Sequence, residues 1–451
     1  MIPDLSSVEL AQVVTLIRDR RLTCLALMDH CLARLAASEP AIGAYVAYDI
    51  DLTRERAADL DRMIERGQWP GPLTGIPFAV KDLFHTEDFP TCAGSNAYSM
   101  PVGTPDAKAV EDLKSAGAVL IGKTTTHEFA TGLNDLGTGN AWDPERYPGG
   151  SSAGSAAAVA VGSAFFALGT DSGGSVRQPA ALNGVVGFKP TWGRISEAGV
   201  VPLTETLDTV GLLVRHASDC ADLLDVLGAG QRVARPASEL DGIGVAFPEV
   251  AFTDDHVARA LADARRALLS SALRVVDIDM KSISGAVETG LTLIQAEAAR
   301  VHQARLATDG SSYGAAAREF FVDGATLPSA QVRDAGVARL EITHAIDELF
   351  AAHGLTAIVT PTISVGTPLL RDFKPTTDLR PFLDHTVIAN LTGQPAVTLP
   401  ARLRRGRMPV GIQLIGRSHQ DFELVRVAQV IERLISPAFS EVPLEATERK
   451  A

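Results

Sequence analysis

The chain has 451 residues, of which 46% are hydrophobic and 21% are charged, a composition that suits one large core or two modest domains. Its net charge of −13 argues against nucleic acid as a partner. Residues 1–20 contain no apolar signal core. The longest apolar helix candidate, at 156–168, is broken by Gly162 and Ser163 and is too short to span a bilayer. The four cysteines form no C-x-x-C pair, so we expect reduced thiols in a cytoplasmic protein that is not bound to a membrane.

The first 70 residues predict a set of helices. Ser6 and Glu9 have the spacing of a capping box, in which each side chain accepts a hydrogen bond from the other residue's backbone N–H. A second helix is predicted from Thr23, and a third over 52–67. We expect these helices to cover a larger core. The predicted inward-facing residues of the second helix are Leu27, Met28, Cys31 and Leu35.

From Ile76 onward, short apolar runs alternate with helical stretches, and glycine is present at nearly every turn. This alternation predicts an α/β fold. Helices are predicted near 106–116, from Ser155, and over the Ala-rich segment 286–346. The predicted strands are Ile76–Val80, Val119–Ile121, a strand around Phe188, Val210–Val214, Ile243–Phe247, Arg274–Ile278, Ala357–Thr360, Ala396–Leu399 and Val410–Ile415. The arginine-rich stretch 402–407 precedes the last of these strands and predicts a solvated hairpin turn.

Three polar segments interrupt this pattern. Lys81 closes an apolar strand, and by itself it is typical of a lysine whose ammonium group reaches water at a strand end. The run Gly-Gly-Ser-Ser-Ala-Gly-Ser at 149–155 has the glycine spacing of a phosphate-binding loop, but no lysine precedes Ser155 to contact a phosphate. The run Gly-Thr-Asp-Ser-Gly-Gly-Ser-Val-Arg at 169–177 lacks the G-x-S-x-G pattern of the common α/β-hydrolase turn.

Taken together, the three segments favour nucleophilic catalysis. The glycines of the third segment allow successive backbone N–H groups to converge on one point, as a developing oxyanion requires. A serine beside such donors can act as a nucleophile if a base accepts its proton. His127 lacks a second histidine for a zinc site, so we expect no metal, whereas a lysine that burial keeps neutral can be the base. The converging donors are predicted to be Ser172, Gly173, Gly174 and Ser175.

These motifs resemble those of the amidase signature family. The diagnostic block of that family is Gly-Gly-Ser-Ser, here at 149–152, followed by Gly-Thr-Asp-x-Gly-Gly-Ser-x-Arg, here at 169–177. The spacings between Lys81, Ser151 and Ser175 also match the family pattern. The resemblance covers most of the chain and is weak over 220–355. Further matches lie at 183–184, 187–191, 393–396 and 409–416.

The resemblance implies a Ser–cis-Ser–Lys triad. Ser175 would be the nucleophile that attacks the carbonyl carbon of the substrate. Ser151, on a cis peptide bond after Gly150, would relay the proton, and neutral Lys81 would be the final base. Water would then cleave the acyl-enzyme.

The resemblance also implies the surroundings of the triad. Residues 172–175 would form the oxyanion hole, and Asp171 and Arg177 would pair beneath that loop. The chain departs from the family at Ala153, where the family prefers glycine, and at Ser172, where threonine is common. Neither departure touches the triad, and no metal or organic cofactor is implied.

The implied fold is one α/β domain over 1–451, with a mixed central sheet covered by helices on both faces. Within it we expect a helical cover over about 1–70, a catalytic core over about 71–220 and a variable helical substrate region over about 280–350. The pocket residues are expected to come from two places. Family geometry suggests that Ala130, Thr131 and Gly132 border the scissile amide, while Tyr313, Phe320 and Phe321 could form a wall. A helix buried in the core explains Phe320 and Phe321 equally well.

The expected activity is that of an amidase, which cleaves a C–N bond other than a peptide bond in a small-molecule amide or carbamate (urethane), with aryl amides included. The runner-up is the glutaminase subunit of a tRNA-dependent amidotransferase. Against it, the segment after Ala130 reads Thr-Gly-Leu-Asn-Asp-Leu-Gly, not the Ser-Thr-Glu-Asn-Ser of that subunit. A catalytically silent scaffold is the alternative of another class, although a scaffold has no need of these polar groups. Homodimer formation stays open.

Overall fold

A single mixed sheet runs through the centre of the molecule. The computed structural model describes residues 5, 8–133, 137–228, 242–250, 252, 254–374, 380–401, 407–436 and 442. Within these residues the strands are β1 (Tyr45–Tyr48), β2 (Pro77–Lys81), β3 (Val119–Thr124), β4 (Phe166–Thr170), β5 (Val186–Lys189), β6 (Val210–Val214), β7 (Gly244–Pro248), β8 (Arg274–Ile278), β9 (Ala357–Pro361), β10 (Ala396–Pro400) and β11 (Gly411–Gly416). Their order across the sheet is β1-β3-β2-β4-β6-β5-β10-β11-β9-β7-β8.

The pairing is parallel in two places and antiparallel elsewhere. Strands β3, β2 and β4 are parallel neighbours, as are β9, β7 and β8, and the strands between these two groups pair in the antiparallel sense. Every residue of β2, β3 and β4 is buried. Parallel strands of this kind read as continuous apolar runs because both of their faces are covered. The carboxyl ends of β2 and β4 therefore lie side by side.

Helices surround the sheet. They are α1 (Leu10–Arg18), α2 (Cys24–Ile42), α3 (Ile50–Glu65), α4 (Lys108–Ser115), α5 (Ala153–Val161), α6 (Arg177–Asn183), α7 (Ala217–Val226), α8 (Asp255–Leu269), α9 (Ala286–Asp309), α10 (Ala315–Thr326), α11 (Ser329–Ala352), α12 (Arg380–Leu383), α13 (Val387–Leu391) and α14 (Asp421–Ile435). No helix among the described residues is long and apolar enough to cross a membrane.

The apolar core is divided between the two faces of the sheet. Successive residues of one strand belong to different clusters, as Val245 and Ala246 of β7 do, because side chains alternate between faces. One cluster includes residues of α1, α2, α7, α8 and α14, and the other includes residues of α9, α10 and α11. The prediction of a mixed sheet covered on both faces is confirmed.

Most of the predicted elements are present, with bounds that differ by a few residues. The Thr23 side chain accepts a hydrogen bond from Ala26 N, and the four predicted inward-facing residues of α2 are buried. Strands β10 and β11 pair in the antiparallel sense, and residues 402–406 of the predicted hairpin turn lie outside the described part of the chain.

One prediction was wrong in detail, and another was confirmed. Helix α1 begins at Leu10, so Glu9 is its N-cap and makes no side-chain capping bond, while Ser6 lies outside the described residues. The apolar stretch 156–168 is broken at Gly162, as predicted. It ends as a helix at Val161 because Gly162 adopts φ +82°, and the chain then enters β4.

Candidate active site

Two parallel strands bring a lysine and a threonine to the same edge of the sheet. Lys81 is the last residue of β2, and Thr170 is the last residue of β4. Lys81 Nζ donates a hydrogen bond to Thr170 Oγ1 at 2.8 Å. It also donates to Ser151 Oγ at 2.7 Å, in the turn that precedes α5. All three residues are buried, so this cluster of polar side chains is shielded from solvent.

A backbone hydrogen bond joins the two serine-containing loops. The Gly150–Ser151 peptide bond is cis. The next residue, Ser152, donates its N–H to the Ser175 carbonyl at 3.1 Å. Ser175 lies between β4 and α6 and is partly exposed, whereas Ser151 is fully buried. The structure thus holds the Ser175 loop against the Ser151 turn and leaves Ser175 the more accessible of the two serines.

Burial has the largest electrostatic influence on Lys81. It lowers the pKa of Lys81 to about 7, because a charged ammonium loses its hydration in the interior, while the charges of Asp208 and Asp171 oppose this shift. Within the described residues, the side-chain partners of Nζ are hydroxyl groups and no carboxylate forms an ion pair with it. A lysine in this environment can be neutral or protonated near neutral pH.

The loop at 172–175 presents three backbone donors that have no acceptor within the described part of the chain. These are the amides of Ser172, Gly173 and Ser175. The amide of Gly174 differs, since it donates to Asp171 Oδ1 at 2.7 Å. Because Asp171 holds the Gly174 amide, the expected set of four oxyanion donors is reduced to three candidates, and their convergence on one point stays a prediction. Gly174 adopts φ +130°, which other residues rarely adopt, and so allows the loop to turn.

A buried ion pair supports this loop. Arg177 donates from Nε to Asp171 Oδ2 at 3.0 Å and from Nη2 to Oδ1 at 2.8 Å. Its Nη1 contacts the Thr386 carbonyl and Gln413 Oε1, each at 2.7 Å. Burial would raise the pKa of Asp171, but the charge and hydrogen bonds of Arg177 outweigh it and hold the pKa well below its usual range. The ionised pair fixes the loop from below.

His127 was not predicted to belong to the site, and the structure places it against Gly150, the residue before Ser151. Its ring fills the space next to Gly150, where an added Cβ would lie 2.1 Å from His127 Cε1. Neither ring nitrogen has a hydrogen-bond partner among the described residues. Burial, together with the charge of Lys81, lowers the pKa of His127 to about 3, so the ring is neutral. The sequence held no signal for this contact, which joins residues from two distant turns.

The predicted pocket residues 130–132 follow His127 closely. Phe129 and Ala130 both have positive φ values, of 47° and 64°. Such conformations in non-glycine residues occur preferentially at functional sites. The hydroxyl of Thr131 is engaged locally, donating to the Glu128 carbonyl at 2.8 Å. Contact of Ala130, Thr131 and Gly132 with a substrate stays a prediction.

The aromatic residues of the predicted wall pack around Phe129. The ring centroids of Tyr313 and Phe321 lie 5.2 and 6.4 Å from that of Phe129. Phe321 is fully buried, Tyr313 is nearly so, and Phe320 is partly exposed. Phe321 therefore belongs to the core, as the alternative interpretation of this helix held, and it supports the strained segment next to Ala130.

In the described part of the chain, no group of three or more His, Cys, Asp or Glu side chains is arranged to bind a metal ion.

Comparison with known proteins relates this chain to a family. The family model described as Amidase matches residues 26–425. The A-type subunit of the glutamyl-tRNA(Gln) amidotransferase of Lachnospira eligens is 30% identical over 95% of this chain and 98% of the relative. A putative amidase, AmiD, of Mycobacterium bovis is 32% identical over 95% and 94%. A crystal structure of an amidase superposes with a TM-score of 0.86 at 32% identity, covering 95% of this chain and 100% of the other. This chain belongs to the amidase signature family.

Proposed function

We propose that this protein hydrolyses a small-molecule amide or carbamate through an acyl-enzyme on Ser175. Ser175 Oγ attacks the carbonyl carbon and passes its proton to Ser151 Oγ, while the Ser151 proton moves to Lys81 Nζ. The oxyanion accepts hydrogen bonds from the amides of Ser172, Gly173 and Ser175. The relay then runs backward to protonate the leaving amine, and water cleaves the acyl-enzyme by the same route.

The observation that carries this proposal is the contact between Lys81 Nζ and Ser151 Oγ, 2.7 Å long and fully buried. A surface lysine would be protonated at neutral pH and could not accept a proton. The pKa of about 7 allows Lys81 to be neutral in a large fraction of molecules at pH 7. Its neighbours are hydroxyl groups through which a proton can move.

Labelling with a fluorophosphonate tests which serine is the nucleophile. We expect the adduct on Ser175, because the Ser175 amide belongs to the oxyanion loop and Ser175 is the more accessible serine. Ser175→Ala should abolish labelling and turnover, whereas Ser151→Ala should retain slow labelling, since water can partly replace a relay. Mass spectrometry that finds the adduct on Ser151 would reverse the assignment. A chain that takes up no label and turns over no substrate would be a silent scaffold.

The substrate class needs a direct screen. Anilides, primary amides and aryl carbamates all present a carbonyl carbon to the same nucleophile and the same amides. We expect hydrolysis of aryl amides or carbamates by the purified chain alone, because the residues expected to border the scissile amide, at 130–132, are small. Turnover of primary alkyl amides only would contradict this choice.

A second candidate function comes from the Lachnospira eligens relative, which is named as part of an amidotransferase. If this chain had that role, the isolated protein would release ammonia from glutamine in preference to the amides of the screen. A coupled ammonia assay with glutamine, run beside the aryl substrates, separates the two functions.

A further inference from the structure

The proton relay of the proposed function ends with an ammonium group in a fully buried position. Two carboxylates influence Lys81 electrostatically, Asp208 and Asp171. Asp171 is already paired with Arg177, which donates to both of its oxygens. Of these two carboxylates, Asp208 is therefore the one whose charge is not already balanced by a cation and can balance a newly protonated Lys81.

Asp208 also contacts the oxyanion loop. Its Oδ1 accepts hydrogen bonds from Ser172 Oγ and Thr204 Oγ1, both at 2.6 Å. Its Oδ2 accepts from Leu203 N at 2.8 Å. Within the described residues, no Lys, Arg or His nitrogen forms an ion pair with this buried carboxylate. Burying a carboxylate without a cation costs free energy, and a positive charge that forms nearby lowers this cost for as long as the charge is present.

We propose that Asp208 is a positioning residue that orients the oxyanion loop through Ser172 and balances the charge of Lys81 when Lys81 accepts the relayed proton. In this step Ser151 gives its proton to the Lys81 lone pair and receives the proton of Ser175. Lys81 becomes positively charged, and the oxyanion is the only other group that gains charge. This inference rests on the proposed function, since it assigns Lys81 the role of base.

Other charged or titratable groups of the described residues also lie near Lys81 and Asp208. Around Lys81 they are Asp171 with its partner Arg177, and His127, whose buried ring is neutral. Beside Asp208 lies Glu197, whose pKa burial raises to about 8, so it carries little charge at pH 7. Burial also raises the pKa of Asp208, while the hydrogen bonds from Ser172 and Thr204 favour its ionised form.

The test is the pH profile of kcat/KM for Asp208→Asn. Neutral Lys81 is the active form, so kcat/KM rises with pH to a plateau. Removing the nearby negative charge should move this acid limb to lower pH by about one unit or more, and the plateau should fall because the base is weaker. Glu197→Gln, the matched control, removes a neighbouring carboxyl group that does not contact Ser172, and should leave the limb in place. A folded Asp208→Asn enzyme with the wild-type limb would overturn the inference.

Thr204→Val provides a second route if Asp208→Asn does not fold. This change removes one hydroxyl donor but keeps the carboxyl group, so Asp208 ionises less readily and the limb should shift in the same direction by a smaller amount. An unchanged limb in Thr204→Val would count against the inference in that case. Ser175→Ala distinguishes failure of this inference from failure of the proposed function. If Ser175→Ala retains turnover, the proposed function is wrong. If it is inactive but Asp208→Asn has the wild-type pH profile, only the role of Asp208 is wrong.

Discussion

Two buried lysines lie next to each other in this sheet, and they differ in their partners. Lys81 ends β2, and Lys123 lies on the neighbouring β3, where it pairs with Val80 in register. Lys123 Nζ lies 2.9 Å from Asp82 Oδ1 and donates to Thr91 Oγ1 at 2.6 Å. Lys81 has two hydroxyl partners and no ion pair within the described residues. Both side chains are fully buried.

The difference in partners gives the two buried lysines different electrostatic surroundings. Burial lowers the pKa of both, but at Lys123 a contacting carboxylate opposes that shift and favours the charged form. At Lys81 the carboxylates act from a greater distance, and the pKa falls to about 7. A buried lysine is therefore stable as an ammonium where a carboxylate contacts it, and is available as a base where only hydroxyl groups do.

The largest expected effect is the loss of activity in Lys81→Met. Without a base to accept the relayed proton, kcat/KM should fall by about 10⁴-fold or more. The free energy of unfolding should not fall. The pKa of this lysine is about 10.5 in the unfolded chain and about 7 in the folded one, so Lys81 destabilises the fold below pH 7. This destabilisation declines as the pH rises towards 10.5. Steady-state kinetics and thermal melts at pH 7 measure both. A variant with near-normal turnover would require another base.

The next largest effect is expected for Lys123→Met, which should lower stability and largely preserve activity. This change leaves Asp82 buried without its cation, and we expect a loss of about 3–5 kcal/mol in the free energy of unfolding. Activity of the folded fraction should stay within about tenfold of wild type. Urea titration and active-site counting with a fluorophosphonate separate the two quantities. If Lys123→Met were as stable as wild type but inactive, the division of roles between the two lysines would be wrong.

The pH dependence of activity sharpens the comparison. In the proposed mechanism neutral Lys81 is the active form, and its pKa is about 7. The value of kcat/KM should therefore rise with pH below 7, tenfold per unit, and level off above it. The pH at which kcat/KM levels off should be unchanged in His127→Asn, since burial lowers the pKa of His127 to about 3 and keeps the ring neutral in this range. A limb that moved or vanished in that variant would place the titrating group on the histidine.

The smallest effects are expected from the threonines that contact the two lysines. Thr170→Val removes one hydrogen bond to Lys81 Nζ and should lower kcat about fivefold, the size of one net hydrogen bond. Thr91→Val removes the equivalent bond to Lys123 and should lower stability by about 1 kcal/mol while kcat is unchanged. Equal effects of both variants on kcat would mean that Lys123 also takes part in the reaction.

The strands were predictable where a short apolar run is bounded by glycine and polar residues. Strand β6 was predicted at its observed bounds, Val210–Val214, because nothing in that run competes with a strand. Strand β4 was missed because it continues an apolar, alanine-rich helix, and its start depends on the left-handed turn at Gly162. Strand β1 was missed because four residues at the sheet edge carry too little pattern to separate them from a loop.

The sequence by itself determined the family and the α/β class, and it singled out the candidate site residues in the Gly-rich segments. These features depend on motifs that are local in the chain. Tertiary structure alone decided which groups face one another. The contacts of Lys81 with Ser151 and Thr170, of His127 with Gly150 and of Asp208 with Ser172 each join separate segments that only the sheet order brings together. The protonation state of Lys81 follows from those contacts and from burial, since a pKa depends on the surroundings of a group and not on its neighbours in sequence.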